Sequence, residues 1–402
     1  MMEDIRVLDT TLRDGEQAVG VIFTRWEKEQ IATLLASIGI TAIEAGYPIL
    51  GPEEKACVKA VVDADIKVAG GRSFDSAQGL ALRFQDDNVG EERPLEINAF
   101  ARARAEDVRE AAECGVDSVI ISISTSDVHI ERKFRKSRDW VLAQMEDAVA
   151  EAKRHGLMFT VSAEDASRTD MAFLMEYYEL AKALGARMVR YCDTLSVEDP
   201  YTTYRRIKFI TQRLDVPLEV HMHNDFGMGT ANALAGIRAG ARSVAASVGG
   251  LGERAGNSPM EEVVMALKHL RDIDLGIDTS RFREIATYVA DASRRAVPIW
   301  KAIVGTNVFA HESGIHADGI LKDPTSYEAF SPEEVGLERQ IIIGKHSGSK
   351  AIMHKFSAEF GIELEQDTAR DLLERVRSMA VELKRPLFSK ELMLLYKEIQ
   401  RA

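Results

Sequence analysis

A (β/α)8 barrel, the TIM barrel, is the fold class the sequence predicts, with a mainly helical region after it. Two observations carry this reading. Eight short β-branched runs alternate with amphipathic stretches between Ile5 and about Leu270, and strands alternating with helices build a parallel sheet. Eight such units over roughly 270 residues also match the usual barrel length of about 250. No GxGxxG follows the first run, which disfavours an open doubly wound sheet.

In order, the runs are "IRVLDTTL", "AIEAGYP", "LEINAFA", "SVIISISTS", "LMFTVSAED", "MVRYCDTL", "LEVHMHND" and "SVAASVGGLGE". Helical patterns between them include "RWEKEQIATLLASIG", "AEDVREAAECG", "DWVLAQMEDAVAEAKRHG", "MAFLMEYYELAKALG" and "GTANALAGIRAG". Many close on glycine (Gly39, Gly115, Gly156, Gly185, Gly240), the residue that most easily takes the left-handed stop. About 46 residues separate "EAGYP" from "LEINAFA", more than one helix needs, so an inserted loop or extra helix is expected between about 69 and 95. The pattern changes near residue 275. We therefore expect a catalytic barrel over 1–275 and helical subdomains over 276–402.

Composition narrows the function. A net charge of −13 argues against nucleic-acid binding by bulk electrostatics. No apolar run is long enough to span a membrane. The N-terminus starts with acidic residues and runs into a strand pattern, unlike a signal peptide. Three scattered cysteines, without CxxC spacing, suit a reducing compartment. Together these predict a cytoplasmic protein.

Barrel active sites sit at the C-terminal ends of the strands. Those ends carry Arg13, Asp14, Glu16 and Gln17; Glu44; Arg102 and Arg104; Thr125, Ser126 and His129; Ser162 and Glu164; Asp193 and Thr194; His221, His223, Asn224 and Asp225; and Glu253, Arg254 and Asn257. Within "HMHND", alternation points His221 and His223 to one face. Two such imidazoles make half a metal site or a hydrogen-bonded core pair, and spacing alone leaves both open. With Asp14 and the Asn257 amide oxygen, the donor types suit Mg²⁺, Mn²⁺ or Co²⁺, with Zn²⁺ also compatible.

"LDTTLRDGEQ", "HMHNDFG", "GLGERAGN" and "HESGIHADG", in that order, resemble the homocitrate/2-isopropylmalate synthase family of metal-dependent, Claisen-condensing barrel enzymes. The resemblance spans about Ile5 to Gly348. It implies a barrel with helical subdomains that reach across a homodimer, and a reaction joining acetyl-CoA to a 2-oxo acid before thioester hydrolysis. It implies Asp14, His221 and His223 as metal ligands with Asn257 a weaker fourth, and Arg13 at the developing oxyanion. It also implies His316 as the base, acting in the partner's active site, with Glu164 as its carboxylate and Tyr327 assisting. Gln17, Glu44, Ser162 and Thr194 resemble residues of the oxo-acid pocket.

The oxo acid's side chain divides this family. Arg102 and Arg104 in "FARARAED", with His129 and Arg132 nearby, place positive charge at the rim and favour a dicarboxylic acid, because a buried carboxylate needs partners. About 54 residues follow "GKHSG", fewer than a dedicated sensing domain takes. "SAEDASR", "RYCDTL" and "ERAGNSPMEEVVMALKHL" look most like nitrogen-fixation-type homocitrate synthases, predicting 2-oxoglutarate as substrate. The alternatives are 2-isopropylmalate, citramalate and Re-citrate synthases. A hydroxymethylglutaryl-CoA-type lyase is disfavoured, because such lyases typically lack the "HESGIHADG" region and place a reactive cysteine in a loop.

Overall fold

The computed structural model describes residues 5–69 and 93–401. Eight strands close into a barrel: β1 Arg6–Asp9, β2 Ala42–Gly46, β3 Glu96–Arg102, β4 Ser118–Ser124, β5 Met158–Glu164, β6 Met188–Asp193, β7 Leu218–Met222 and β8 Ser243–Ala246. Neighbours around the ring are neighbours in sequence and every pairing is parallel, with β8 returning to β1 through Arg6↔Ser243 to Asp9↔Ala246. Each of the eight predicted runs coincides with one of these strands, β3 running one residue past its run to Arg102.

The helices are α1 Arg25–Ser37, α2 Pro52–Asp63, α3 Ala105–Ala112, α4 Arg138–Arg154, α5 Met171–Ala183, α6 Pro200–Thr211, α7 Gly229–Arg238, α8 Met260–Arg271 and α9 Phe282–Ser293. The five predicted glycine stops all take positive φ, between 69° and 108°. Three helices, α2, α6 and α8, were absent from the sequence patterns; of these, α2 and α6 begin alike. Both open on proline, which suits the first helical position because no intrahelical partner is lost there. Asp199 caps α6 by accepting from the Tyr201 and Thr202 amides at 2.8 and 2.9 Å.

Polar layers seal the barrel at both ends around an apolar middle. At the N-terminal end Glu96 pairs with Arg6 at 2.9 Å and with Arg187. In the middle Leu8, Ala42 and Ile120 pack with Phe100. Lys28 of α1, wholly buried, is held by Glu16 at 2.7 Å and Glu54 at 2.8 Å. It thereby ties the loop after β1 to α2.

The insertion expected between about 69 and 95 lies, for residues 70–92, outside the described residues. Its flanks pair antiparallel, Lys67 with Pro94 and Val68 with Arg93. The chain divides into two compact units at Val297/Pro298. Helix α9, placed by the sequence pattern after 275, belongs to the first: Asp278 N–H donates to the Ile38 carbonyl at 2.8 Å and Arg281 to Ser37 Oγ at 2.6 Å.

The second unit contains α10 Gly314–Lys322, α11 Ser349–Phe360, α12 Gln366–Leu383 and α13 Ser389–Ile399. Its core is built from Ile352, Phe356, Leu372, Val376, Leu392 and Leu395. Among the described residues no helix is long and apolar enough to cross a membrane.

Candidate active site and metal centre

Asp14, His221 and His223 are buried and each offers one ligand atom, all within 4.8 Å of one another. Asp14 follows β1, His221 lies in β7 and His223 just beyond it. β1 and β7 flank β8, so barrel closure brings the two sequence regions together. His221 Nε2 is 3.3 Å from Asp14 Oδ2, and the two imidazoles sit edge to face with centroids 4.9 Å apart.

Four buried atoms here have no hydrogen-bond partner: Asp14 Oδ2, His221 Nδ1, His223 Nδ1 and Asn257 Oδ1. A core pair of histidines satisfied by hydrogen bonds would not leave them so, because an unmatched buried polar group costs about 1–3 kcal/mol. The donors fit a divalent ion. Their charge states agree: burial first, then His221, pushes His223 down to about 3, keeping it neutral. Burial alone would raise the Asp14 carboxyl, yet Arg13 and the two histidines hold it well below the usual carboxylate range. Neutral imidazole and carboxylate are the forms that ligate metal.

Asn257 is presented by the turn after β8. Its backbone bridges to His223, Gly256 accepts from the Asn224 amide at 2.9 Å, and the Asn257 side-chain N–H₂ donates to the Leu251 carbonyl at 3.1 Å. Asn257 Oδ1 is the side-chain acceptor left by this arrangement. Arg254 in the same turn binds Asp225 through both oxygens at 2.9 Å and donates to the Thr194 carbonyl at 2.6 Å.

Arg13 is buried beside this set. It donates to Asp14 Oδ1 at 3.0 Å and to Glu44 Oε2 at 2.5 Å, and its guanidinium lies 4.4 Å above the centre of the Phe100 ring. Behind it the charges continue: Glu44 pairs with Arg190 at 2.5 Å, and Arg190 with Glu219 at 2.6 Å. Glu44, expected in the oxo-acid pocket, has both oxygens engaged by arginines and therefore orients Arg13. Arg190 and Glu219 escaped the sequence reading. Alternation was the available signal, since they sit two residues before Cys192 and His221 and so face the same interior.

The remaining candidates divide. Ser162 Oγ is buried 3.4 Å from Ser122 Oγ and 3.3 Å from Cys192 Sγ. Thr194 Oγ1 accepts from the Asp165 amide at 2.8 Å. His129 Nδ1 meets Ser124 Oγ at 3.0 Å and lies 3.5 Å from Glu164 Oε1. Gln17 and Arg104 are exposed. Arg102 is also exposed, but Asp107 holds its guanidinium at 2.7 and 2.9 Å, so its charge is largely matched from within the chain.

His316 and Tyr327 lie in the second unit. Their rings stack at 4.3 Å with 34° between planes. His316 sits on α10 rather than in a loop, and it is exposed. Tyr327 packs so close to α10 that a Cβ at Gly319 would stand 2.5 Å from its ring.

Fold and site together define a (β/α)8-barrel protein with a buried two-histidine, one-aspartate ligand set beside a fixed arginine. The HMGL-like family profile matches residues 4–289 and the homocitrate synthase post-HMGL domain-like profile residues 303–384. The chain belongs to the homocitrate/isopropylmalate synthase family of acetyl-CoA-dependent, divalent-metal-dependent condensing enzymes.

Among its relatives, 2-isopropylmalate synthase 2 of Caldanaerobacter subterraneus subsp. tengcongensis is 53% identical, covering 98% of this chain and 96% of that protein. Homocitrate synthase 1 of Nostoc sp. is 43% identical over 99% and 98%. The 2-phosphonomethylmalate synthase of Streptomyces rubellomurinus is 37% identical over 98% and 99%. In structure, the hydroxymethylglutaryl-CoA lyase of Bacillus subtilis superposes with a TM-score of 0.60 at 16% identity, covering 74% of this chain and 96% of that one. That likeness shows the fold alone.

Proposed function

We propose that this enzyme condenses acetyl-CoA with 2-oxoglutarate, giving homocitrate and CoA. The observation that carries the condensation is the unmatched, buried Asp14–His221–His223 set with Arg13 bound to Asp14. Asp14, His221 and His223, with Asn257 as a fourth donor, would hold a divalent ion, which when bound would supply Lewis-acid polarisation of the keto group. Arg13, fixed by Glu44 and Asp14, donates toward the same oxygen as it becomes an oxyanion, and in a buried site such a donor is worth several kcal/mol.

His316 of a second copy takes a proton from the acetyl methyl group, with Glu164 orienting the imidazole and Tyr327 beside it. The methyl carbon then bonds to the keto carbon, whose oxygen takes the electron pair and afterwards a proton. Water finally hydrolyses the thioester and releases the CoA thiol. Exposure of the stacked His316–Tyr327 pair supports this role in a homodimer.

His129 and Arg104 at the barrel mouth, and the relatives named as homocitrate synthases, support 2-oxoglutarate. A second reading, 2-isopropylmalate synthesis from 2-oxoisovalerate, is favoured by the 53% identical relative and by Asp107 matching the charge of Arg102. Free-thiol release from acetyl-CoA, measured with Mg²⁺ or Mn²⁺ and a panel of 2-oxo acids, decides between them. The expected result is preference for 2-oxoglutarate. Preference for 2-oxoisovalerate, pyruvate or oxaloacetate overturns the substrate, and release with none overturns the condensation.

A further inference from the structure

Glu164 ends β5 at the barrel mouth, and the segment after β4 reaches over to it. His129 and Lys133 lie four apart on one helical turn, His129–Phe134, and residues at that spacing share a face. Lys133 Nζ is 3.0 Å from Glu164 Oε1, and His129 Nδ1 is 3.5 Å from the same oxygen. An ion pair from a half-exposed lysine ordinarily contributes little, because solvent screens it. Two features set this one apart.

The turn that carries Lys133 is anchored at both ends. Arg138 binds Asp127 through two nitrogens at 2.8 and 2.7 Å. Ser126 donates to Asp165, the residue after Glu164. Lys133 is thus delivered by a closed loop stitched to the strand end it contacts. In addition, the His129 ring, its Nδ1 hydrogen-bonded to Ser124 Oγ at 3.0 Å, stands 3.5 Å from the same carboxylate oxygen, so two side chains of one turn bound it.

We propose that Lys133 is a positioning residue for the condensation: it clamps the Glu164 carboxylate in the orientation that receives the base. This rests on the reading of Glu164 as the base's partner. The groups facing Glu164 are His129 and Lys133 from this turn, Ser124 at the end of β4 and Cys192 in β6. Burial would raise the Glu164 carboxyl, but His129, Lys133 and Ser124 together bring it down to about 2. Removing Lys133 therefore moves the Glu164 titration upward, because an adjacent opposite charge is lost.

The test compares Lys133→Met, Lys133→Arg and Glu164→Gln by steady-state thiol release across pH, with circular dichroism to verify folding. Lys133→Met is expected to lower kcat about tenfold with little change in either KM, less than the roughly 10²–10⁴-fold typical of the group that itself transfers the proton. The acid limb of its kcat profile should move to higher pH, and Lys133→Arg should restore most of the rate. Unchanged kcat and pH profile in Lys133→Met, beside a slow Glu164→Gln, overturns the clamp while the reading of Glu164 stands. A raised KM for acetyl-CoA with kcat intact also overturns it, making Lys133 a cosubstrate contact. A Glu164→Gln variant as fast as the parent removes the reading of Glu164 and the clamp with it.

Discussion

Arg190 Nη2 stands 2.5 Å from Glu44 Oε1 inside the barrel, with side chains 1% and 0% exposed. Through Glu44 this contact sets the angle of Arg13. Breaking a buried pair from one side leaves an uncompensated charge, at about 3–5 kcal/mol. Arg190→Met should lose about that much in urea unfolding and also slow thiol release. A variant with full stability and full rate would show that the charge chain holds nothing in place.

The metal assignment predicts joint loss of ion and turnover. His223→Ala should bind Mn²⁺ at least tenfold more weakly by calorimetry and lose thiol release. Asp14→Asn should behave alike. Retained activity in either, in metal-free buffer, would sink the ligand set.

The proposed completion of each active site by a second copy makes a different demand. Glu164→Gln and His316→Ala, each nearly inactive alone, should regain up to about a quarter of the activity when unfolded together and refolded as a mixture, because random pairing yields one intact site in half of the dimers. No recovery from a mixture shown to exchange subunits would mean that the two residues serve the same chain's site.

At the other end of the barrel, burial would raise the Glu96 carboxyl, but Arg6 and Arg187 hold it well below its ordinary value. A depressed carboxylate contributes stability above the unfolded value of about 4.3 and loses it as pH falls toward the folded one. Glu96→Gln should therefore be less stable than the parent by about 3 kcal/mol at neutral pH, and the gap should narrow below about pH 4. A gap that stays constant down to pH 3 would refute this linkage.

Gly319 offers a more local test. A methyl group there meets the Tyr327 ring, so Gly319→Ala should displace the tyrosine from His316 and lower kcat about tenfold, below the roughly 10²–10⁴-fold range of the transferring group itself. The barrel, a separate compact unit, should keep its metal affinity. Unaltered kcat would detach the stacked pair from catalysis.

How much of this was legible beforehand varied with the kind of force involved. The eight strands announced themselves because both faces of a barrel strand are buried, which leaves β-branched runs such as "SVIISIS". Asp14, His221 and His223 were legible as chemistry and as strand ends. Their meeting within 4.8 Å depended on closure between β1 and β8, which no local pattern states. Arg102 read as free charge at the rim, because Asp107, five residues on, reads as an ordinary first-turn helix acid until the structure shows its carboxylate turned back onto the guanidinium. Lys133 read as one charge in a basic stretch, and only the loop's stitching to Asp165 reveals its direction.

By gripping Asp225 and the Thr194 carbonyl, Arg254 makes three successive strand-end loops a single rigid bracket around His223 and Asn257. An ion arriving there needs no loop to fold around it, so little ordering entropy stands between the empty and loaded states. Discrimination between ions would then fall to radius and softness rather than to a loop rearrangement.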